Sequence, residues 1–173
     1  LLDPDRGTVA VGGVDVTRAD PAALRRAVAM VFQETFLFAD RLADNIDVGG
    51  DADPDELAAA ASVARADRFI AATPDGYDTV VGERGVTLSG GQRQRIAIAG
   101  AIAARPALLI ADEATSALDT VVQAEIAALL DTLVREEAMT LLFVTHDITL
   151  AAALSDRLAG FRAAELVARS YTH

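Results

Sequence analysis

The sequence predicts an α/β fold built around a parallel β-sheet. Two continuous apolar runs, Ala107 to Ala111 and Leu141 to Val144, have the length and composition of strands that are buried on both faces. Between them, Thr120 to Arg135 carries the periodic apolar residues of an amphipathic helix. A strand, a helix and a strand in this order indicate a parallel pair joined by a helical crossover. Val28 to Phe32 is a third apolar run, and we expect it to form another buried strand.

The N-terminal part of the sequence predicts a hairpin and two shorter helices. Thr8 to Val11 and Val14 to Val16 flank a Gly-Gly pair, which is a two-residue turn signal for an antiparallel β-hairpin. Asp20-Pro21 and Asp53-Pro54 each combine a capping residue with a proline at the first helical position. We therefore expect a helix after each pair, the second of which is Ala-rich and runs to about Ala66.

The middle of the chain predicts a turn, a loop and a longer helix. Pro74 to Gly76 is a turn signal, and the glycines and charges of Val81 to Gly85 favour an exposed loop. Ile96 to Ala104 has the composition of a helix that ends before Pro106. We expect a helical subdomain over about 34–100 and the remaining sheet over 101–157, while 158–173 has poor periodicity and stays unassigned.

Composition excludes several classes of protein. The 173 residues are 52% apolar but only 5% aromatic, which predicts one domain with an aliphatic core. The longest apolar stretch lies between Arg95 and Arg105 and is far shorter than the roughly 18 residues that span a bilayer. Asp3 and Asp5 stand where a signal peptide would be basic, and without cysteine no disulfide is expected, which fits a cytosolic protein. The net charge of −11 argues against a nucleic-acid partner.

Polar side chains of catalytic types follow all three predicted strands. Gln33 follows the first, Asp112-Glu113 follows the second, and Thr145-His146-Asp147 follows the third. Each has an ordinary explanation as a surface or structural residue. Ligands of open α/β sheets bind beyond the carboxyl ends of the strands, however, so we expect these groups to converge on one site.

The segment Leu88-Ser89-Gly90-Gly91-Gln92 has two interpretations. Ser89 followed by Gln92 is a capping-box pattern, so the segment is an ordinary capped helix start in the simpler interpretation. In the other, the two glycines expose backbone amides at a helix N-terminus, where the helix dipole favours a phosphate group. The residues by themselves leave both open.

Taken together, five motifs resemble those of the ABC ATPases. Leu88 to Gln92 matches the signature motif of that family without a mismatch, and Leu108 to Glu113 resembles its Walker B strand. Ser116 to Asp119 resembles the D-loop, His146 the switch histidine and Gln33 the Q-loop glutamine. The resemblance covers residues 1 to about 157 and implies an ABC ATPase core of the P-loop NTPase type, with a parallel sheet, an N-terminal antiparallel hairpin and a helical subdomain. The chain, 1–173, is then a partial nucleotide-binding domain.

The resemblance implies ATP as the nucleotide, Mg²⁺ as the metal and a role for each residue at the strand ends. Asp112 helps to hold Mg²⁺, a hard cation that prefers oxygen ligands. Glu113 orients or deprotonates the attacking water, and His146 contacts the γ-phosphate. Gln33 touches the metal or the water and reports the nucleotide state to a transport domain. Phosphoryl transfer needs mainly positioning and charge neutralisation, which these groups can supply.

The resemblance also implies two protein partners. Family members pair head to tail, so the signature residues of this chain would bind the ATP of a second ABC ATPase domain: Leu88, Ser89, Gly90, Gly91 and Gln92. Asp119 would lie at the same interface. The Phe-Leu-Phe segment within Val31 to Ile46 resembles the exporter branch, and Val81 to Gly85 resembles its X-loop, which contacts the membrane domain. These features imply an exporter's ATPase domain at the cytoplasmic face of the plasma (inner) membrane.

The sequence departs from the family pattern in three places. It contains no lysine, so the phosphate-binding P-loop is absent, and we expect that motif upstream of Leu1. Without it, the isolated chain is expected to bind ATP poorly and to aggregate. Gly100 stands where the family usually has Arg. Glycine inside a helix lowers helix stability by about 1 kcal/mol relative to Ala. Gly160 to His173 does not match the family's usual ending, which a frameshift or a diverged end would each explain.

Two other functions compete with that of an exporter ATPase. A soluble ABC ATPase of DNA repair would carry a long coiled coil between Gln33 and Leu88, and no sustained heptads occur there. The second alternative is a catalytically inactive gene fragment, which keeps the pattern of the fold without the activity. An ATPase assay separates this alternative from an active domain.

Overall fold

The computed structural model describes residue 4 and residues 6–50, 52–82, 87–136, 139–162 and 165–171. Its centre is a three-stranded parallel sheet of β3 (Val28–Phe32), β4 (Leu108–Asp112) and β5 (Thr140–Val144), in the order β3-β4-β5. The last residues of the strands are in register, with Phe32 opposite Asp112 and Asp112 opposite Val144. The α/β fold and all three predicted strands are confirmed. The expectation that these strands are buried on both faces was wrong, because one face of the sheet is open.

The predicted N-terminal hairpin is also present. β1 (Ala10–Val11) pairs antiparallel with β2 (Val14–Asp15). Gly12 and Gly13 connect them with φ angles of 58° and 80°, which lie in the left-handed region that glycine adopts without steric cost. α1 (Pro21–Ala27) follows, and its last residue leads directly into the sheet.

Three short helices lie between the sheet and the signature segment: α2 (Leu42–Ile46), α3 (Pro54–Val63) and α4 (Asp67–Ala71). A 3₁₀ turn follows at Gly76–Asp78. The prediction that the second helix continues to Ala66 was wrong, because Arg65 takes a φ of 54° and breaks the helical path. The Ala-rich composition concealed this break, since it favours helix on both sides of it.

The longer helices begin at capped positions. α5 (Gly90–Ala103) starts at the predicted capping box and contains the predicted helical segment from Ile96 onward as its second part. α6 (Thr120–Glu136) is the predicted crossover between β4 and β5. α7 (Ile148–Leu154) is capped by Asp147, whose carboxylate accepts from the amides of the first turn.

The tail forms a second hairpin that the sequence pattern did not reveal. β6 (Arg157–Arg162) pairs antiparallel with β7 (Glu165–Tyr171), with a register shift at Gly160/Phe161. The irregular pairing explains why the tail lacks a clean two-residue alternation.

One face of the parallel sheet is packed and the other is open. Leu109 and Ala111 are buried against the helical side, in a core that also contains residues of α5 and α6. On the opposite face, four apolar side chains are between 45% and 51% exposed: Met30, Phe32, Leu142 and Val144. No helix within the described ranges combines the length and hydropathy needed to cross a membrane.

Candidate functional site

The three predicted groups lie at one edge of the parallel sheet. Gln33, Glu113 and Thr145 each follow the last residue of a strand, and those last residues are in register. His146 Nδ1 lies 3.5 Å from Glu113 Oε1, which is close but longer than an ordinary hydrogen bond. The expectation that the strand ends converge is confirmed for this pair.

Glu113 has an unusual backbone conformation. Its φ is 47°, in the left-handed region that costs a residue with a side chain on the order of 1 to 3 kcal/mol. Three hydrogen bonds hold it there. Its amide donates to the Val144 carbonyl at 2.9 Å, and its carbonyl accepts from the Ser116 amide at 3.0 Å and from the Ser116 hydroxyl at 2.9 Å. The strand end and the following turn therefore fix where the carboxylate sits.

The residues at this edge differ in their exposure to solvent. The His146 side chain is 73% exposed and the Glu113 side chain 35%, while Gln33 is exposed and Asp112 is half-buried. The oxygen donors of Asp112, Glu113 and Gln33 have the chemistry that Mg²⁺ prefers. No group of three or more acidic or histidine side chains with metal-binding geometry occurs in the part of the chain described.

The N-terminus of α5 has the predicted capping box. The Ser89 hydroxyl accepts from the Gln92 amide at 3.2 Å, and the Gln92 side chain accepts from the Ser89 amide at 2.9 Å. The amides of Gly90 and Gly91 are at the first two helical positions, where a helix offers them no partner. Because Ser89 uses its oxygen as the acceptor, its hydroxyl proton stays available for an anion.

The two glycines are also packing positions. A Cβ on Gly91 would lie 2.6 Å from Val122 Cγ1, and one on Gly90 would lie 3.3 Å from Leu118 Cδ2. Both neighbours belong to the segment around the start of α6. The close approach therefore requires glycine at 91 whether or not a ligand binds there.

Asp119 caps α6 in this chain. Its Oδ1 accepts from the amides of Val121 at 3.2 Å and Val122 at 3.0 Å. The side chain is exposed, so capping leaves its second oxygen accessible. The interfacial role that the resemblance implies for Asp119 stays a prediction.

Sequence reasoning did not single out Gln94. This side chain is only 2% exposed, and its amide bonds both to the loop that carries Gln33 and to the end of β3. One signal was available: Gln94 precedes Ile98 and Ile102 at intervals of four residues, so it lies on the buried face of α5. A polar residue at such a position must find a partner inside the protein.

A groove of about 400 Å³ lies beside the Gln33 loop. Phe36 and Phe38 pack edge to face with ring centroids 5.3 Å apart and remain 65% and 53% exposed. Val48 lines the same groove and is 68% exposed. Of the predicted X-loop, Val81 is buried and Gly82 is half-buried, whereas 83–85 lie outside the described residues.

Arg41, just after the Gln33 loop, forms ion pairs with two acidic side chains. The Arg41 guanidinium lies 2.7 Å from Asp44 and 3.2 Å from Asp78, so it connects α2 with the 3₁₀ turn. The hydrogen bonds from Arg41 lower the pKa of the Asp44 carboxyl. In turn, the hydrogen bonds to Asp44 and Asp78 raise the pKa of Arg41. All three groups are on the surface, so the ion pair contributes little to stability.

Comparison with known proteins is consistent with this geometry. The model of the ABC transporter family matches residues 1–116. The chain is 50% identical over 127 residues to the mycobactin import ATP-binding/permease protein IrtB of Mycolicibacterium thermoresistibile, covering 73% of this chain and 22% of that protein. It is 52% identical over 122 residues to the ATP-dependent lipid A-core flippase of Thiobacillus denitrificans, covering 69% of this chain and 21% of that protein.

The similarity extends to a solved structure. A bacterial Atm1-family ABC exporter with ATP bound superimposes with a TM-score of 0.86 at 36% identity, covering 98% of this chain and 29% of that one. The chain thus spans less than a third of the length of each of these relatives. Together with the motifs at the sheet edge, these matches show that the chain belongs to the ABC transporter family, as an exporter-type ATPase domain.

Proposed function

We propose that this chain forms most of the ATP-binding and ATP-hydrolysing domain of an ABC exporter and couples hydrolysis to transport across a membrane. The observation that carries the proposal is the pairing of Glu113 with His146 at 3.5 Å, beside Asp112 at the carboxyl edge of a parallel sheet. A carboxylate and an imidazole held this close can position one water molecule and one phosphate oxygen together.

Each residue at this edge has a distinct part in the reaction. Glu113 accepts a hydrogen bond from the attacking water and draws its proton, and its fixed backbone keeps the carboxylate in place. His146, on the exposed side, donates to the γ-phosphate. Asp112 and Gln33 would hold Mg²⁺, and the bound ion would neutralise phosphate charge. ATP also needs a P-loop, with its backbone amides and its lysine, and this sequence contains neither that motif nor any lysine.

The direct test joins this chain in frame behind the phosphate-binding segment of the lipid A-core flippase relative and measures phosphate release. The joined protein should hydrolyse ATP, and Glu113→Gln should lower kcat by about a hundredfold while ATP binding persists. Asp131→Asn, on the outer side of α6, is the control and should leave the rate unchanged. Equal rates for the Glu113→Gln and unsubstituted proteins would remove Glu113 from the mechanism.

The second part of the proposal is a head-to-tail pair with another ABC ATPase domain. The support is the N-terminus of α5, which offers the Gly90 and Gly91 amides and the Ser89 hydroxyl to an anion. Mixing the chain with a flippase ATPase domain that has lost its counterpart of Ser89 should restore ATP hydrolysis. Ser89→Arg in this chain should abolish the restoration, whereas Ser62→Arg in α3 should not.

The third part is a membrane domain that docks in the groove beside Gln33, at the cytoplasmic face of the membrane. Phe36, Phe38 and Val48 expose apolar surface there, next to the residue proposed to sense the nucleotide. Names of the relatives, such as permease and flippase, support a membrane partner. Phe38→Ser should weaken co-purification with the relative's membrane domain, while Phe161→Ser on the tail hairpin should not.

The alternative of an inactive fragment has one observation in its favour, the absence of lysine from the sequence. It predicts that the chain does not restore hydrolysis in the mixture, whereas weak ATP binding by the isolated chain is expected for both functions. The DNA-repair alternative is weakened, because the helices between Gln33 and Leu88 are short: none of those described there exceeds the 10 residues of α3.

A further inference from the structure

The side chain of Gln94 connects the signature helix to the loop that carries Gln33. Its Oε1 accepts a hydrogen bond from the Thr35 hydroxyl, and its Nε2 donates to the Phe32 carbonyl at 3.4 Å. Phe32 and Thr35 lie on either side of Gln33 in the sequence. One buried amide therefore holds the backbone before Gln33 and the side chain just after it.

Gln94 is also rigidly placed relative to the signature residues. It lies in the second turn of α5, whose first turn begins with Gly90 and Gly91. The capping box fixes this end of the helix, and the Arg93 guanidinium donates to the Leu88 carbonyl at 2.7 Å. A displacement of the Gln33 loop is thus transmitted through one helical turn to the amides proposed to bind a partner's phosphate.

Burial makes this connection costly to break. Gln94 is 2% exposed, and every described side-chain polar atom that is fully buried has a hydrogen-bond partner. If the Thr35 bond opens, the Gln94 oxygen loses its partner where water cannot replace it. The loop and the helix are therefore expected to move together instead of separating.

The far end of the same loop is held by a different residue. Asn45 is 4% exposed, accepts from the Phe38 amide at 2.7 Å and donates to the Arg41 carbonyl at 2.9 Å. This fixes the loop on α2. The two buried amides have separate tasks: Asn45 anchors the aromatic end, and Gln94 links the Gln33 end to the signature helix.

We propose that Gln94 is a positioning residue. It fixes the position of Gln33, at the nucleotide of its own domain, relative to Ser89 to Gly91, at the partner's nucleotide. The proposal rests on the proposed function and deepens it, since it names the side chain that couples the two sites within one chain. The Thr35 hydroxyl is the matching partner, and its loss should have the same consequence as the loss of the Gln94 amide.

The test uses four variants of the 173-residue chain. Thr35→Val and Gln94→Leu remove the connection, whereas Thr35→Ser keeps the hydroxyl. Ile98→Val is the control, because it alters the same buried face of α5 without removing a hydrogen-bonding group. The first measurement is amide hydrogen exchange of residues 33–37. The second is kcat and KM for ATP when the chain is mixed with the flippase domain that lacks its own signature serine.

We expect exchange at 33–37 to rise about fivefold in Thr35→Val and Gln94→Leu, and kcat to fall by a similar factor with KM unchanged. Thr35→Ser and Ile98→Val should match the unsubstituted chain. Unchanged exchange in Thr35→Val, or an equal change in Ile98→Val, would overturn the proposal. If the unsubstituted mixture shows no hydrolysis, the proposed head-to-tail pairing fails, and the exchange measurement still decides whether Gln94 makes the connection.

Discussion

At the scale of single residues, Glu113 combines a proposed catalytic role with a strained backbone. Its φ of 47° is unfavourable for any residue with a Cβ, and the hydrogen bonds from Ser116 and to Val144 maintain it. Motif similarity identified the carboxylate, but a motif carries no information on φ. The strain and the proposed function coincide at one residue, as is frequent at active sites.

This strain predicts an unusual order of stabilities. Glu113→Gly should be more stable than Glu113→Ala by about 1 kcal/mol, because glycine adopts a positive φ without a steric penalty. The same pair of substitutions at Asp131, inside α6, should show the opposite order by about 1 kcal/mol. Urea unfolding of the four variants measures both differences. If Ala is the more stable residue at 113 as well, the left-handed conformation contributes no strain.

At the scale of elements, the starts of α5 and α6 touch through the signature glycines. Gly91 has no room for a Cβ, since Val122 Cγ1 would be only 2.6 Å away. A Cβ on Gly90 would lie 3.3 Å from Cδ2 of Leu118, in the predicted D-loop. Two motifs that are far apart in the sequence are therefore in direct packing contact.

The packing of Gly91 predicts a rescue. Gly91→Ala should destabilise the chain by about 1 to 3 kcal/mol through overpacking. Val122→Ala removes the methyl group in the way, so Gly91→Ala in that background should be nearly neutral. A double-mutant cycle in urea measures the coupling. Additive effects of the two substitutions would contradict the contact.

Gly100 provides a second prediction at this scale, and it reverses an expectation from the sequence. Helix propensity predicts a gain of about 1 kcal/mol for Gly100→Ala. In the structure, however, a Cβ there would lie 3.0 Å from the Asn45 carbonyl and 3.4 Å from the Ile46 carbonyl. We expect Gly100→Ala to be destabilising, whereas Ala97→Gly in the same helix should cost about what propensity predicts. Thermal unfolding measures both.

At the scale of the whole molecule, one face of the parallel sheet is uncovered. Met30, Phe32, Leu142 and Val144 are between 45% and 51% exposed, although the strands of parallel sheets are normally covered on both faces. An apolar patch of this kind favours association. The sheet face therefore gives a specific location to the aggregation that the sequence led us to expect of the isolated chain.

We predict that this face drives self-association of the isolated chain. Leu142→Thr combined with Val144→Thr should raise the concentration at which light scattering appears, because threonine keeps strand propensity while removing apolar surface. Val121→Thr on α6 is the control, since this side chain is 69% exposed but lies outside the sheet. An equal effect of the control would show that general surface hydrophobicity, and not the sheet face, is responsible.

The sequence by itself determined the order of the main elements, the three strands and the residues at their ends, because periodicity, capping and strand composition are local properties. It could not place the break at Arg65 or the tail hairpin, where composition and alternation were uninformative. Only the tertiary structure decided the left-handed φ of Glu113, the contact of Gly91 with Val122 and the bonds of Gln94. Each of these depends on atoms from segments distant in the chain, and their distances are set by packing rather than by local preference.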